Sequence, residues 1–194
     1  MLTVALFGTS ADPPTIGHQM VLEWLAHRFD HVAVWAADNP FKEHQTPLVH
    51  RQAMMERLVS ALQDQFPQIQ LYPDLSDPRS INTLKIAHQR WPEAEFTLVV
   101  GSDVLLSLKH WYRAEELLSQ VRLLVIPRPG APLSAAMLDS LQQQMASFVI
   151  ADFTGPDVSS SHYRATGNLA EVTPAVATYI RQQSLYLCQE QTRR

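Results

Sequence analysis

The sequence holds one cysteine, Cys188, in 194 residues. An internal disulfide and a multi-cysteine zinc site are thereby excluded, and a reducing, cytoplasmic setting is expected. Positive charge is not in excess either: 15 Lys and Arg stand against 19 Asp and Glu, a net charge of −4. No global basic field argues for nucleic acid, so any phosphate chemistry must come from local placement of Lys, Arg and His. No apolar run approaches the ~18 residues of a membrane span. The Met-Leu-Thr start carries no basic leader, so neither a membrane nor a secretory address is expected. Repeats and low-complexity stretches are missing. What remains is 46% apolar and 18% charged, an ordinary composition for one globular domain with a sizeable core, taken as residues 1–194.

The apolar runs are short and regularly broken. Residues 2–7 read as a buried strand, followed by a polar turn and a helix to about residue 28. A strand over 31–37 leads into a polar loop over 39–47, with a proline at each end. An amphipathic helix over 48–66 follows, with Met55, Leu58, Val59, Leu62 and Phe66 on one face. A short strand over 69–72 and a loop over 74–79 precede a helix capped at Ser80 and reaching about residue 90. Strands over 96–100, 121–126 and 148–151 alternate with helical patterns after residue 103, up to residue 118, and over 134–145. Helices open again at Ser159 and at Thr173-Pro174, the last running to about residue 188. This alternation predicts an α/β fold, a Rossmann-like, doubly wound parallel sheet with helices on both faces. Ligands in such folds bind beyond the carboxyl ends of the strands. Those ends carry residues 8–18, 38–42, 101–103 and 127–130, so the unusual polar motifs share one rim.

The stretch from Gly8 to His18 (GTSADPPTIGH) is a strand, a tight loop and a helix start, which is the physics of an anion site. Gly8, Thr9 and Ser10 form the turn where backbone can approach a ligand. Thr15 and His18, three apart beside Gly17, share one side of the first helical turn, where both can donate to a phosphate oxygen. Ser159 is a candidate N-cap. Ser160 and Ser161, with the backbone N–H groups of a helix start, form a second anion nest, and Arg164 lies one turn on. Gly101-Ser102-Asp103 marks a third strand end. Trp24, Trp35 and Trp91 read as packing residues, and His44 and His50 as surface ones.

These residues resemble a family of enzymes. GTSADPPTIGH is similar to the (H/T)xGH signature of the nucleotidyltransferase superfamily related to class I aminoacyl-tRNA synthetases. Val158 to Arg164 (VSSSHYR) resembles its second signature, ISSTxIR. Gly101-Ser102-Asp103 followed by Trp111 resembles the GxD…W segment of nicotinate-mononucleotide adenylyltransferases, and Thr83-Leu84 resembles their TxDTL stretch. The resemblance runs from residue 3 to about 165.

It implies in-line attack of a mononucleotide phosphate on the α-phosphorus of ATP, with release of pyrophosphate, in NAD biosynthesis. It further implies that His18, Thr15 and Arg164 act on the phosphates, and that Gly8, Thr9, Ser10, Gly17, Gly101, Asp103, Ser159, Ser160 and Ser161 hold ATP. Trp111 would stack on the pyridine ring and Tyr112 would offer its backbone N–H. Lys42, Arg51 and Thr83 would attend the mononucleotide. Mg²⁺ would arrive with ATP, since no carboxylate cluster suggests a protein cage for it. Three departures stand out: Thr15 replaces the commoner histidine, Thr9 a second glycine, and Ala11 an aromatic. Thr15 matches the variant of pantetheine-phosphate adenylyltransferases, which is the alternative enzyme. A nucleotide-binding module without turnover is the alternative of another class. The choice of nicotinate or nicotinamide mononucleotide, and whether the chain forms a homo-oligomer, stay open at this point.

Overall fold

The computed structural model describes residues 1–38, 42, 45–129, 132–143, 147–153 and 155–186. Its six parallel strands are β1 (Thr3–Thr9), β2 (His31–Ala36), β3 (Ile69–Leu71), β4 (Glu95–Gly101), β5 (Arg122–Ile126) and β6 (Phe148–Ile150), in the order β3-β2-β1-β4-β5-β6. The helices are α1 (Ile16–Ala26), α2 (Leu48–Ser60), α3 (Ser80–Arg90), α4 (Leu105–Leu108), α5 (Ala114–Leu118), α6 (Ala135–Gln143), α7 (Ser160–Thr166) and α8 (Pro174–Gln182). The predicted doubly wound sheet is the observed one.

Why the strands read as continuous apolar runs is visible in their alternation. In β1, Ala5 and Phe7 join one core and Val4 and Leu6 the other. In β2, Val32 and Val34 face one core and Ala33 and Trp35 the other. Successive strand residues point to opposite faces, and both faces are covered, so every position must be apolar. The first core is closed by α1, α2, α7 and α8, and the second by α3, α4, α5 and α6. Strand order reverses direction beside β1, between β2 and β4. This is the switch point where loops leave in opposite directions and open a crevice.

Three boundaries differ from expectation. The last helix, expected to run to about residue 188, ends at Gln182, and the chain turns over 183–186. The helix expected over 48–66 ends at Ser60. Pro67 disfavours the α conformation at Phe66, and the chain turns there with Leu62 and Phe66 still buried. The cap of α3 is Arg79 rather than Ser80, because the Asp77 carboxylate accepts the Arg79 N–H at 2.7 Å and the Asn82 side-chain amide at 3.2 Å. Cys188, His44, the loop residues 39–41 and Gly130 lie outside the described residues.

Gly8 also has a different task from the one expected. It pairs with Trp35 across β1 and β2, and a Cβ at Gly8 would lie 2.4 Å from the Trp35 ring. The space left by the missing side chain is taken by indole, not by ligand. Gly8→Ala is expected to cost about 1–3 kcal/mol by overpacking, a fall in Tm of several degrees on thermal melting. Adding Trp35→Phe should recover part of it. An unchanged Tm with a raised KM for nucleotide would instead return Gly8 to the ligand site.

Candidate active site

The loop between β1 and α1 is fixed from three sides. Arg51, on the buried stripe of α2 with Met54, Met55, Leu58 and Val59, is only 2% exposed. It donates to the carbonyls of Ser10 (3.0 Å), Ala37 (2.6 Å) and Thr46 (2.8 Å). The carboxylate of Asp12 accepts the Thr46 N–H at 3.2 Å and the Tyr186 hydroxyl at 2.7 Å. Burial, then that hydrogen bond, push the Tyr186 phenol well above its ordinary pKa, so it stays a donor. Arg164 donates to the Asp12 carbonyl at 2.5 Å. Ala11, held between these anchors, adopts a positive φ of 46°, a left-handed conformation that non-glycine residues adopt only under such constraint.

His18 forms the floor, 7% exposed. Its Nδ1 lies 3.0 Å from the Thr15 backbone N–H, which can only donate. Nδ1 is therefore the acceptor, and the neutral ring carries its hydrogen on Nε2. That Nε2 lies 3.1 Å from the Thr9 hydroxyl. Burial first, then the charges of Arg128 and Lys42, lower the His18 pKa to about 3. The ring is thus a neutral N–H donor at any working pH. The Thr15 hydroxyl sits 2.9 Å from the same Nδ1 and is 1% exposed as a residue. In this conformation Thr15 orients the imidazole rather than offering its hydroxyl to a phosphate.

Above His18 opens a cleft of about 300 Å³, bounded by Thr9, Ser10, Lys42, Arg128, Arg164 and the Ser159–Ser160–Ser161 run. The serine hydroxyls are engaged within the protein. Ser159 caps α7 by accepting the His162 N–H at 3.0 Å, Ser160 donates to the Pro13 carbonyl at 2.8 Å, and Ser161 accepts from Arg164 at 3.2 Å. Their work is to hold α7 and Arg164 against the loop. Lys42 is exposed at the mouth, and lost hydration in the cleft lowers its pKa against the opposing pull of Asp103. Three cations, Lys42, Arg128 and Arg164, thus converge over one neutral donor. Low-dielectric walls concentrate such a field on an anion.

The residues expected at the site divide accordingly. Thr9, Ser10, His18, Lys42, Ser159, Ser160, Ser161 and Arg164 line the cleft. Gly8 and Arg51 do not; they are internal supports, since one makes room for Trp35 and the other spends its guanidinium on backbone carbonyls. Gly17 lets α1 pack against Val158, whose Cγ2 would lie 3.2 Å from an added Cβ. Asp103 pairs with Arg128 at 2.9 Å. Thr83 is 3% exposed and gives its hydroxyl to the Leu75 carbonyl at 2.8 Å, which leaves it no free donor for a ligand. Trp111 packs on the second core. Tyr112 is 52% exposed with the Arg79 guanidinium 4.4 Å from its ring centre. Trp24, Trp35 and Trp91 pack as expected. His50 is tied to the Tyr179 hydroxyl at 2.9 Å. Sequence reasoning overlooked Arg128, the role of Asp12, and Tyr186. Arg128 lies two residues past the end of β5, inside the 127–130 segment that the strand-end rule places on the rim, but its side chain is given no role there.

Comparison with known proteins supplies the context. The model of the cytidylyltransferase-like family matches residues 6–166. A Synechocystis protein named "probable nicotinate-nucleotide adenylyltransferase" is 42% identical over 198 residues, covering 95% of this chain and 99% of its own. A Gemmatimonas aurantiaca protein of the same name is 33% identical, with 95% and 92% covered. Among solved structures, the Plasmodium falciparum nicotinic acid mononucleotide adenylyltransferase complexed with NaAD superposes with a TM-score of 0.81 at 20% identity, covering 96% of this chain and 98% of that one. At that identity the superposition speaks to the fold alone.

Proposed function

The chain belongs to the cytidylyltransferase-like family and, within it, to the nicotinate-nucleotide adenylyltransferases, and from that premise we propose that it transfers AMP from ATP to nicotinate mononucleotide. The observation that carries the chemistry is the neutral Nε2–H of His18 at the floor of a cleft ringed by Lys42, Arg128 and Arg164. The mononucleotide phosphate oxygen forms a bond to the α-phosphorus as the bond from that phosphorus to the bridging oxygen breaks, and pyrophosphate leaves. The nucleophile is already an anion, so no general base is needed, and a histidine that stays neutral is no handicap. Catalysis rests on alignment and on charge stabilisation at the α-phosphoryl group and the leaving group.

In this reading the Nε2–H of His18 exchanges the Thr9 hydroxyl for an α-phosphate oxygen while Thr15 holds the ring at Nδ1, and Lys42 and Arg164 neutralise the departing pyrophosphate. Mg²⁺ belongs to the substrate, arriving on the ATP phosphates and keeping most of its waters. The donor set supports this. The two carboxylates nearest the cleft are already engaged, Asp12 by Tyr186 and Thr46, and Asp103 by Arg128. Among the described residues no cluster of three or more His, Cys, Asp or Glu could hold a metal. No helix among them is long and apolar enough to cross a membrane.

The test is a coupled pyrophosphate assay with MgATP and one acceptor at a time: nicotinate mononucleotide, nicotinamide mononucleotide, phosphopantetheine. Release with nicotinate mononucleotide, exceeding that with the other two, is the expected result. Release only with phosphopantetheine, or with none while MgATP binds, overturns the reading.

A further inference from the structure

Arg128 has no role in the signatures and stands where one is needed. It follows β5 at the carboxyl rim, and its backbone N–H donates to the Ser102 hydroxyl at 3.0 Å. This ties the exit of β5 to the exit of β4. Its guanidinium meets the Asp103 carboxylate at 2.9 Å, and the side chain lines the cleft. Gly101 leaves room for the pair, since a Cβ there would lie 2.4 Å from the Asp103 Oδ1 and 2.9 Å from the Arg128 Cδ. We propose that Arg128 is a polyphosphate-binding residue of the transfer site, held over the cleft by Asp103 and contacting the phosphates beyond the α position. The inference rests on the adenylyl-transfer reading for its substrate.

Stability does not explain the arrangement. Arg128 and Asp103 side chains are 41% and 38% exposed, and an ion pair that open to water is worth little. A scaffold needing only to bridge β4 and β5 would be served by the Ser102 contact, which uses backbone. The side chain does something a bridge would not: it projects a permanent charge into the cleft. That charge acts on His18 more strongly than the charge of Lys42 does. A guanidinium has five N–H donors in a planar fork, and one bond to Asp103 leaves others for phosphate oxygens. Anchoring by Asp103 fixes the fork in advance, so less side-chain freedom is lost when the anion arrives.

The experiment is calorimetric titration of the intact protein and its Arg128→Ala, Arg128→Lys and Asp103→Asn variants with MgATP, sodium tripolyphosphate and AMP. Arg128→Ala should weaken MgATP and tripolyphosphate by about 10-fold or more and leave AMP, which lacks the outer phosphates, unchanged. Arg128→Lys should fall between, since an ammonium keeps the charge and loses the fork. Asp103→Asn should lose less than Arg128→Ala. The melting temperature of Arg128→Ala should move by no more than roughly 2 °C. Wild-type affinity for tripolyphosphate in Arg128→Ala, or an equal loss for AMP and MgATP, overturns the proposal. An unaltered protein that binds MgATP but transfers AMP to no acceptor would sink the proposed function and leave Arg128 standing. One that binds neither MgATP nor tripolyphosphate would remove both.

Discussion

His18→Ala is expected to lower kcat by about 10²–10³-fold, the loss typical of one preorganised donor aimed at developing charge, while the protein stays folded. The measurement is initial pyrophosphate release beside a thermal melt. The Nε2–H is the hydrogen being removed, and its direction is set by two neighbours rather than by the ring itself: Thr15 N–H on Nδ1 and Thr9 hydroxyl on Nε2. His18→Gln restores an amide N–H in roughly the same place and should recover part of the rate. The pH behaviour follows from the same contacts. With a folded pKa of about 3 against 6.5 for the free side chain, the unfolded chain takes up a proton between those values and the folded chain does not. Stability from this group is therefore complete above about pH 6.5 and falls as pH drops towards 3, by up to about 1.4 kcal/mol per unit. His18→Gln should flatten that limb in denaturant titrations. Because kcat/KM reports the free enzyme, His18 should contribute no inflection near pH 6.5. An inflection there that vanishes in His18→Gln would show a freely titrating imidazole and overturn the neutral-donor role.

That histidine was legible in the sequence, and so was most of the frame around it. Continuous apolar strands separated by helical patterns leave little choice but a covered parallel sheet, and the strand-end rule gathers the polar motifs on one rim. His18, Arg164 and the serine run stand where the rule puts them. The failures have a common physical origin: sequence spacing says which residues share a region but not which polar group spends its hydrogen bonds inside the protein. Thr15 and His18 share a helix face, as their spacing requires, yet the shorter side chain is consumed in orienting the longer one. Thr83 lies on a helix beside the expected acceptor segment, yet its hydroxyl closes the turn at Leu75. Gly8 suggests an open approach, yet the facing strand fills it with Trp35. Only Trp35 is distant in the sequence, brought to Gly8 by sheet pairing; His18 and Leu75 are near neighbours of Thr15 and Thr83, but spacing alone does not say which polar atom they engage. Arg128 is the converse, a residue whose position was legible and whose chemistry went unread.

Arg51→Met is expected to destabilise the protein by about 2–4 kcal/mol, since it strips the partner from three half-buried backbone carbonyls. For a chain of this size the fall in Tm is roughly 10 °C. The 3.6-residue period gives the reason a charge sits there at all. The stripe Met54, Met55, Leu58 and Val59, extended one turn back, falls on position 51, where the helix passes beneath the ends of β1 and β2. At that point the sheet stops and its outgoing chains present carbonyls with no strand to pair with, at Ser10 and Ala37. A planar guanidinium reaches both from one nitrogen, Nη1, and Thr46 besides from Nε. Methionine fills much of the same volume and satisfies none of them. Arg51→Lys keeps the charge but cannot span three acceptors, so it should recover less than half of the loss. The same substitution separates a support from a ligand contact. If Arg51 bound the mononucleotide, Arg51→Met would raise the KM for that substrate at unchanged Tm. As a support of the Ser10 turn it should lower Tm first, and the remaining folded enzyme should show KM values raised for ATP and mononucleotide together, because the turn it holds carries the floor on which both are aligned.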